Sequence, residues 1–330
     1  MKKILITGGA GFIGYHLARS LVAHECDVWI ADNLSRGVQD RFLAKLLKEP
    51  NCTFRQLDGL QPESLQSLPE DFDIVFHLAA IIGVQHVESR PYAVLAENIR
   101  LLENIIEWCH HQKNLHRFLF ASTSEVYAGS LEANALEIPT PEDVPIVLPP
   151  LDRPRTSYLL SKISGEALCF YSGLPITIFR PHNIYGPRMG LSHVIPQQLQ
   201  KAYFARDGDR LEIPGADQTR SFCFVEDAVK MLVEMMDTPS CDGKVLNLGR
   251  EHPESRVEAV VTNCWDTVGK NLISVPVPAS AGSPDRRCPS MEMTFEHLKA
   301  RPCCSLEEGI SRTFEWYEKE VFSGDRKSSV

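Results

Sequence analysis

Long hydrophobic runs are missing from this sequence of 330 residues. In the opening stretch MKKILITGGAGFIG, the apolar run covers only four residues before glycines interrupt it, which is too short for the core of a signal peptide. No other run approaches the length that crosses a membrane. We therefore expect neither a secretory leader nor a membrane partner.

Paired cysteines are missing as well. The ten cysteines form no CxxC motif, and only Cys303 and Cys304 are adjacent. Disulfide frameworks and zinc sites depend on such spacings, so this pattern favours reduced thiols. It predicts a cytoplasmic protein that binds no metal.

Positive charge is scarce: Lys and Arg total 34 against 43 for Asp and Glu, which gives a net charge of -9. Binding along a nucleic acid requires a basic surface, so we expect no nucleic-acid partner. A small anionic substrate stays possible if a few arginines converge locally.

The first half of the chain alternates short apolar runs with amphipathic stretches. The runs are KILIT, DVWIAD, CTFRQL, DIVFHLAA, RFLFAS and, later, PITIFR. Runs of this length between helical patterns indicate parallel strands that are covered on both faces. The predicted fold class is α/β, with a doubly wound parallel sheet.

After Tyr185 this alternation weakens, and HVIPQQLQKAYFAR, VEDAVKMLVEMMD and SLEEGISRTFEWYEKEVF indicate helices. They predict a smaller, α-rich C-terminal substrate lobe over residues 181–330, interleaved with a nucleotide-binding domain over residues 1–180. Between Gly129 and Arg155, six prolines predict a surface loop or lid. The final SGDRKSSV is expected to be a disordered tail.

A glycine-rich stretch, ILITGGAGFIG, places Gly8, Gly11 and Gly14 between the first strand and a helix. Glycines there permit a tight turn and let backbone N–H groups approach a pyrophosphate. Asp32 ends the second strand, at the distance where a carboxylate accepts hydrogen bonds from an adenosine ribose. Its charge would repel a 2′-phosphate, which favours NAD, although Arg36 keeps NADP open.

Tyr158 and Lys162 are four residues apart in SYLLSKISGEALCFYSG, so both lie on one face of a predicted helix. An ammonium near a phenol is expected to lower the pKa of the tyrosine and make it a general base toward a substrate hydroxyl. A hydroxyl from Thr123, at a strand end, can bond to the same substrate oxygen.

The ordered set TGGAGFIG, DNLSRG, HLAA, STSEVYAG, YLLSK and RPHNIYGPRMG resembles the extended short-chain dehydrogenase/reductase family, and within it the nucleotide-sugar epimerases, dehydratases and decarboxylases. The resemblance covers the chain from Ile4 to about Phe322. It implies a Rossmann-type domain, NAD as the cofactor, and a nucleotide-sugar substrate, with a UDP-sugar favoured. It also implies a homodimer through the helices AVLAENIRLLENIIEWCHHQ and YLLSKISGEALCFYSG.

Site residues follow from the same resemblance. The catalytic set that it implies is Thr123, Ser124, Glu125, Tyr158, Lys162 and Arg287. The cofactor-binding set is Gly8, Gly11, Phe12, Ile13, Gly14, Asp32, Asn33, Asp58, Gly59, Leu78, Ala79, Ala80, Asn98, Tyr158, Lys162 and Pro181. The substrate-binding set is Asn183, Arg188, Val194, Arg220 and Arg287.

Ser124 and Glu125 bear on the reaction, which by resemblance begins with oxidation of a sugar at C4. Simple 4-epimerases of the family carry small or neutral residues here, and dTDP-glucose dehydratases carry an Asp-Glu pair. Thr-Ser-Glu matches both UDP-glucuronate decarboxylases and GDP-mannose dehydratases, and the stretch DRRCPS, with Arg287, resembles the decarboxylases.

A UDP-glucuronate decarboxylase is the first interpretation, with a 4-epimerase or a 4,6-dehydratase as alternatives. A non-catalytic dinucleotide sensor is the opposing class, but Tyr158 and Lys162 are both present.

Overall fold

The structure is a computed structural model that describes residues 1–279 and 283–323. In its first half, strands and helices alternate in the order β1 (Lys3–Thr7), α1 (Phe12–Ala23), β2 (Asp27–Asp32), α2 (Arg41–Leu46), β3 (Cys52–Gln56), α3 (Pro62–Leu65), β4 (Ile74–His77), α4 (Val84–Ser89), α5 (Pro91–Cys109), β5 (Arg117–Ala121), α6 (Ala128–Glu132), α7 (Pro154–Tyr171) and β6 (Ile176–Pro181). A 3-10 helix, Ser124–Tyr127, lies between β5 and α6.

The second half has shorter strands between its helices. Its elements are β7 (Ile184–Tyr185), α8 (Val194–Phe204), β8 (Arg210–Pro214), β9 (Thr219–Ser221), β10 (Cys223–Phe224), α9 (Val225–Asp237), β11 (Lys244–Leu248), β12 (Glu254–Arg256), α10 (Val257–Val268), β13 (Ile273–Val277), β14 (Arg286–Arg287), α11 (Glu292–His297) and α12 (Leu306–Tyr317).

Seven parallel strands form the main sheet, in the order β11-β6-β5-β4-β1-β2-β3. Ile4 and Ile6 of β1 belong to the core on one face, whereas Leu5 belongs to the core on the other. This confirms the doubly wound α/β fold. The strand order reverses between β1 and β4, and ligands of such sheets bind at the carboxyl edge beside that reversal.

The second half contributes to both parts of the molecule. β11 pairs with β6 in the main sheet, and α9 packs against α1. α8, α10 and α12 enclose a separate apolar core that contains Trp265. Within this lobe β9 lies between β12 and β14, which places Arg287 beside Arg220.

The proline-rich segment begins with α6 and has no further helix before α7. An isolated bridge joins its Thr140 to Pro289. Of the predicted C-terminal tail, residues 324–330 lie outside the described part of the chain. Among the described helices, none is long and apolar enough to span a bilayer.

Candidate active site

The glycine-rich loop joins β1 to α1 and brings backbone against backbone. Gly8 has a φ of +72°, and a Cβ there would lie 2.7 Å from the backbone nitrogen of Ala79. A Cβ on Gly14 would lie 2.5 Å from the carbonyl oxygen of Gly8. Only glycine fits these two positions, because a side chain would push the loop away from β4 or from α1.

Asp32 ends β2 and is a buried residue, 9% exposed. It accepts hydrogen bonds from the N–H groups of Ala10, at 3.1 Å, and Leu34, at 2.8 Å. Burial raises the pKa of Asp32, and these two hydrogen bonds oppose the rise. Gly37 closes over the carboxylate, since a Cβ there would lie 2.6 Å from Oδ1. The site is narrow and acidic, which suits a ribose hydroxyl better than a phosphate.

Asn33 follows Asp32 on an exposed turn, where its Oδ1 accepts a hydrogen bond from the Ser35 N–H at 3.0 Å. The turn after β3 is tied to the same edge, because the Leu57 N–H donates to the Asp32 carbonyl at 3.2 Å. Asp58 Oδ1 accepts from the Leu60 N–H at 3.1 Å. These bonds fix the loops after β2 and β3 next to each other.

Gly59 lets α5 approach this turn, because a Cβ would lie 2.5 Å from Leu101 Cδ1. The loop after β4, residues 78–81, is held from two sides. Its first N–H groups donate to the carbonyl and hydroxyl of Thr7, at 3.1 and 3.4 Å. The amide of Asn98 donates to the Ile81 carbonyl at 3.0 Å and accepts from its N–H at 2.7 Å. Asn98 thus positions the loop after β4 at the carboxyl edge of the main sheet.

Helix α1 completes a site that fits NAD. Its first turn, with Phe12 and Ile13, has no side-chain cap among the described residues, and Gly11 is the N-cap. The N–H groups of such a helix end bind phosphate. The pyrophosphate would lie here, and the adenosine ribose at Asp32.

Thr123, Tyr158 and Lys162 come together at the carboxyl end of β5. The Thr123 hydroxyl accepts a hydrogen bond from the Glu125 N–H at 3.2 Å and lies close enough to the Tyr158 phenol to lower its pKa. Lys162 Nζ donates to the Ala121 carbonyl at 2.7 Å and lies 5.9 Å from the centre of the Tyr158 ring. Ser124 is buried beside them. A proton donor and acceptor pair and an ammonium therefore share one corner of the site.

The expected lowering of the pKa of Tyr158 by Lys162 is wrong. Burial raises the pKa of the phenol, and the charge of Glu125 raises it further, whereas the Thr123 hydroxyl and the charge of Arg36 only partly oppose this. The lysine is also desolvated, so that its own pKa falls to about 8. Its ammonium bonds to the Ala121 carbonyl, and burial of the phenol outweighs the attraction that the spacing of four predicted.

Glu125 and Arg287 form an ion pair, with Oε1 and Nη1 2.6 Å apart. The Glu125 side chain is 44% exposed and that of Arg287 13%. The guanidinium holds the pKa of Glu125 below its usual value despite the opposing effect of burial. The carboxylate is therefore ionised at neutral pH and still accessible to a substrate.

Arg220 adds a second guanidinium beside Arg287. It donates to neutral acceptors, including the carbonyls of Thr219, at 2.7 Å, and Pro284, at 2.8 Å. Burial and the charge of Arg287 lower the pKa of Arg220 to about 10. Nε of Arg287 is buried and has no partner in the described part of the chain. Glu125 pairs with Arg287, whereas the hydrogen bonds of Arg220 to described residues all go to neutral acceptors, so the guanidinium of Arg220 can attract an anion.

Two cavities lie among the elements that follow β6. One, of about 410 Å³, is lined in part by Gln218 and Asp285, which both accept hydrogen bonds from Arg220. The other, of about 100 Å³, is lined by Asn183 and Val194 together with aromatic side chains. Asn183 has a φ of +41° and donates to the Ser221 carbonyl at 2.9 Å.

The structure does not bring every predicted residue into this group. Arg188 bonds to Asp40 at 2.8 Å and to the Val38 carbonyl at 3.0 Å, with its guanidinium 4.0 Å from the centre of the Tyr15 ring. It fastens the loop before α2 and does not join Arg220 and Arg287. Pro181 ends β6, where the chain passes to β7.

Sequence reasoning missed Gly37, and it considered Arg36 only for its effect on the choice between NAD and NADP. Gly37 could have been noticed as the glycine that closes DNLSRG, but its contact with Asp32 is not visible in the spacing. Arg36 donates to the Ile82 carbonyl at 2.5 Å, which links the loops after β2 and β4. Its charge acts on the phenol of Tyr158, a relationship that no local motif indicates.

Within residues 1–279 and 283–323, no cluster of three or more His, Cys, Asp and Glu side chains could hold a metal ion. All ten cysteines are free thiols.

Comparison with known proteins agrees with this geometry. The chain is 32% identical to the UDP-N-acetyl-alpha-D-glucosaminuronate decarboxylase of Bacillus cytotoxicus, over 96% of this chain and 98% of that protein. It is 28% identical to UDP-glucuronic acid decarboxylase 1 of Arabidopsis thaliana, over 98% of this chain and 71% of that one. The UDP-glucuronic acid 4-epimerase of Bacillus cereus, solved with a fluorinated UDP-glucuronic acid and NAD, superposes with a TM-score of 0.84 at 25% identity, over 96% and 99% of the two chains.

Residues 4–249 match the NAD dependent epimerase/dehydratase family. The match includes the glycine-rich loop, Asp32, Thr123, Tyr158 and Lys162, and it covers well over half of the chain. The predictions of an enzyme and of NAD as its cofactor are confirmed. The chain belongs to the NAD-dependent epimerase/dehydratase family of the extended short-chain dehydrogenases.

Proposed function

We propose that this enzyme decarboxylates a UDP-hexuronate by way of a 4-keto intermediate. The observation that carries the proposal is the Glu125–Arg287 pair, with Arg220 beside it, next to the Thr123 and Tyr158 hydroxyls. An epimerase needs only the hydroxyl groups and the lysine. A carboxylate and two arginines at the same place serve a substrate with a further charged group.

The chemistry begins at the sugar C4. Tyr158 takes the proton of the C4 hydroxyl while C4 loses a hydride and becomes a ketone, and the Thr123 hydroxyl and the charge of Arg36 favour the ionised phenol against the effect of burial. When bound, NAD would supply the acceptor for that hydride and the donor for the final reduction. The C6 carboxylate is then β to a carbonyl. The bond between C5 and C6 breaks, and carbon dioxide leaves. The electron pair of that bond forms a double bond between C5 and C4, so the C4 oxygen becomes an enolate. Solvent donates a proton to C5. The hydride then returns to C4, and Tyr158 gives its proton back to the C4 oxygen.

Arg287 and Glu125 act on the second stage. The guanidinium of Arg287 binds the C6 carboxylate and holds it beside the ketone, with a buried Nε that has a hydrogen to donate. Glu125 stays ionised because Arg287 lowers its pKa. Its charge repels a neighbouring substrate carboxylate, and loss of carbon dioxide relieves that repulsion.

The relatives support a uronate as the substrate. By their names, two of them decarboxylate UDP-linked uronic acids and the third epimerises one. The 4-epimerase of Bacillus cereus makes 4-epimerisation the second candidate for this enzyme, because that relative acts on a UDP-uronate whose carboxylate is kept.

A panel of sugar nucleotides tests the proposal. The purified protein is incubated with NAD and, separately, with UDP-glucuronate, its N-acetylated analogue and UDP-glucose, and the products are read by mass spectrometry. Loss of carbon dioxide from a uronate is expected. Unchanged mass with a new retention time would instead establish a 4-epimerase, and loss of water would establish a dehydratase. No conversion of any of the three substrates would contradict the proposal.

We further propose a homodimer formed through α5 and α7. These helices pack side by side, and α7 leaves Ala167 and Phe170 exposed on its surface. Four such helices from two copies would cover these positions. Light scattering at micromolar concentration tests this, since a monomeric mass contradicts it, and Phe170→Glu is expected to give the monomer.

We also propose that the lobe that binds the nucleotide sugar begins near residue 181, and that the enzyme works in the cytoplasm. The first is supported by the separate core around Trp265, and the second by the ten free thiols. Limited proteolysis and fractionation of cells with an antibody to the protein would test them.

A further inference from the structure

Asn247, in β11, has a buried polar side chain that the proposed reaction does not use. Its side chain is 0% exposed, and Nδ2 donates to the carbonyls of Thr140 and Ser290, each at 3.0 Å. Oδ1 accepts from the Tyr127 hydroxyl at 3.1 Å and from His182 Nε2 at 2.9 Å. Because the two carbonyls can only accept, the orientation of the amide is fixed, and so is the tautomer of the histidine.

Through Oδ1, Asn247 supports the element that carries Glu125. Tyr127 is the last residue of the 3-10 helix Ser124–Tyr127, two residues after Glu125. The Tyr127 side chain is 2% exposed, and its hydroxyl also accepts from Arg180 Nη1 at 2.7 Å. A change at Asn247 therefore reaches the end of that helix.

Through Nδ2, the same amide supports the segment that carries Arg287. Ser290 lies three residues after Arg287, and its N–H donates to the Thr140 carbonyl at 2.8 Å. The Thr140 N–H donates in turn to the Cys288 carbonyl at 2.8 Å. The segment is thus held between β9 on one side and the proline-rich segment on the other.

The backbone of Asn247 is fixed as firmly as its side chain. Its N–H donates to Glu142 Oε1 at 2.7 Å, and its carbonyl accepts from the Thr294 hydroxyl at 2.7 Å. A residue anchored in this way can transmit position between two elements, because neither can shift without breaking a buried hydrogen bond.

We propose that Asn247 is a positioning residue that aligns Glu125 with Arg287 for the second stage of the reaction. The proposal rests on the proposed function, since it assigns the pair to the step after oxidation. It also gives the proline-rich segment a role: Thr140 supplies the edge against which the arginine-bearing segment is held.

Two uncharged variants remove the coupling in different ways. Asn247→Ala deletes all four side-chain hydrogen bonds, and Tyr127→Phe deletes the hydroxyl while it keeps the ring. In a single turnover with the UDP-uronate, the step after oxidation is expected to slow about 10²-fold, the effect of a misplacement of about 1 Å. The oxidation itself should keep a rate close to that of the unmodified enzyme.

A second readout does not need turnover. Carboxyl ¹³C resonances of labelled glutamate report the pKa of Glu125, and the signal is assigned by its disappearance in Glu125→Gln. Arg287 lowers this pKa, so misalignment should raise it in both variants. The titration tests the alignment of Glu125 with Arg287, whichever reaction the enzyme performs. A normal reaction rate in Glu125→Gln would instead refute the proposed function and leave the alignment to be judged by the titration.

Thr313→Val is the matched control for the loss of a buried hydrogen bond. Thr313 lies in α12, is 0% exposed, and donates to the Gly309 carbonyl at 2.6 Å. This variant should lower the unfolding temperature and leave the Glu125 titration unchanged. An unshifted titration in Tyr127→Phe, or an equal slowing of the second step in Thr313→Val, overturns the proposal. If Asn247→Ala does not fold, the Glu125 titration in Tyr127→Phe alone decides whether the proposal holds.

Discussion

Arg287 donates a hydrogen bond to Glu125 at 2.6 Å, although 162 residues separate them in the chain. The contact brings a charged acid from the end of β5 to a strand of the C-terminal lobe. It closes the site across the two lobes, and it places both groups next to the hydroxyl pair that starts the reaction.

Replacing Glu125 by Gln should uncouple the two stages. The amide keeps the shape but loses the charge that repels the substrate carboxylate, so C4 oxidation proceeds while the following step slows by about 10–10³-fold, the effect of a few kcal/mol of lost repulsion. Absorbance of the reduced nicotinamide and a 4-keto sugar nucleotide detected by mass should both accumulate in a single turnover.

The control is Glu137→Gln, which neutralises an exposed acid in the proline-rich segment. It should behave like the unmodified enzyme. If Glu125→Gln also forms the final product at the normal rate, Glu125 has no role in the reaction, and a plain epimerisation becomes the better interpretation.

Replacing Arg287 by Gln should move the acidic limb of the pH–rate profile to higher pH. Arg287 is the main cause of the lowered pKa of Glu125, so its loss raises that pKa. The ionised form needed for the second stage then persists only at higher pH. Rates of product formation over a pH series measure the shift.

Arg286→Gln is the matched change at the neighbouring position, where the side chain pairs with Glu254 instead. Its acidic limb should stay where it is. If the acidic limb lies at the same pH in Arg287→Gln and in the unmodified enzyme, the ion pair of Glu125 and Arg287 does not control the rate.

Replacing Tyr158 by Phe should abolish C4 oxidation while NAD stays bound, because the change removes the proton acceptor and little contact area. Stopped-flow absorbance measures the oxidation, and calorimetry measures the affinity for NAD. Tyr171→Phe, at the 89% exposed end of the same helix, provides the control. Substantial oxidation by Tyr158→Phe would place the base elsewhere.

Replacing Asp32 by Ala should narrow the preference for NAD over NADP. The buried carboxylate accepts from Leu34 and Ala10 and would repel a 2′-phosphate, so its removal improves NADP binding and weakens NAD binding. Dissociation constants of both nucleotides measure the ratio. Asp27→Asn, at the other end of β2, should leave the ratio unchanged, and equal affinities in the unmodified protein would contradict the reasoning.

The sheet could be read from the sequence because its strands are covered on both faces. KILIT and DVWIAD coincide with β1 and β2 at every residue, because short apolar runs that alternate with helical patterns are typical of buried parallel strands. The sequence did not indicate that β11 would join the same sheet. Its segment, KVLNL, follows α9 in the second half, and only its pairing with β6 decides where it belongs.

The sequence by itself determined the features that depend on neighbours along the chain: the glycine turn, the carboxylate at the end of β2, and the Tyr158–Lys162 pair on one helix face. Tertiary structure alone decided the pKa of Tyr158, because burial depends on packing from distant elements. It alone decided the contacts of Arg287 with Glu125 and of Asn247 with Tyr127, which join residues 162 and 120 positions apart. Spacing along a chain has no information about such distances until the sheet and the lobe fold against each other.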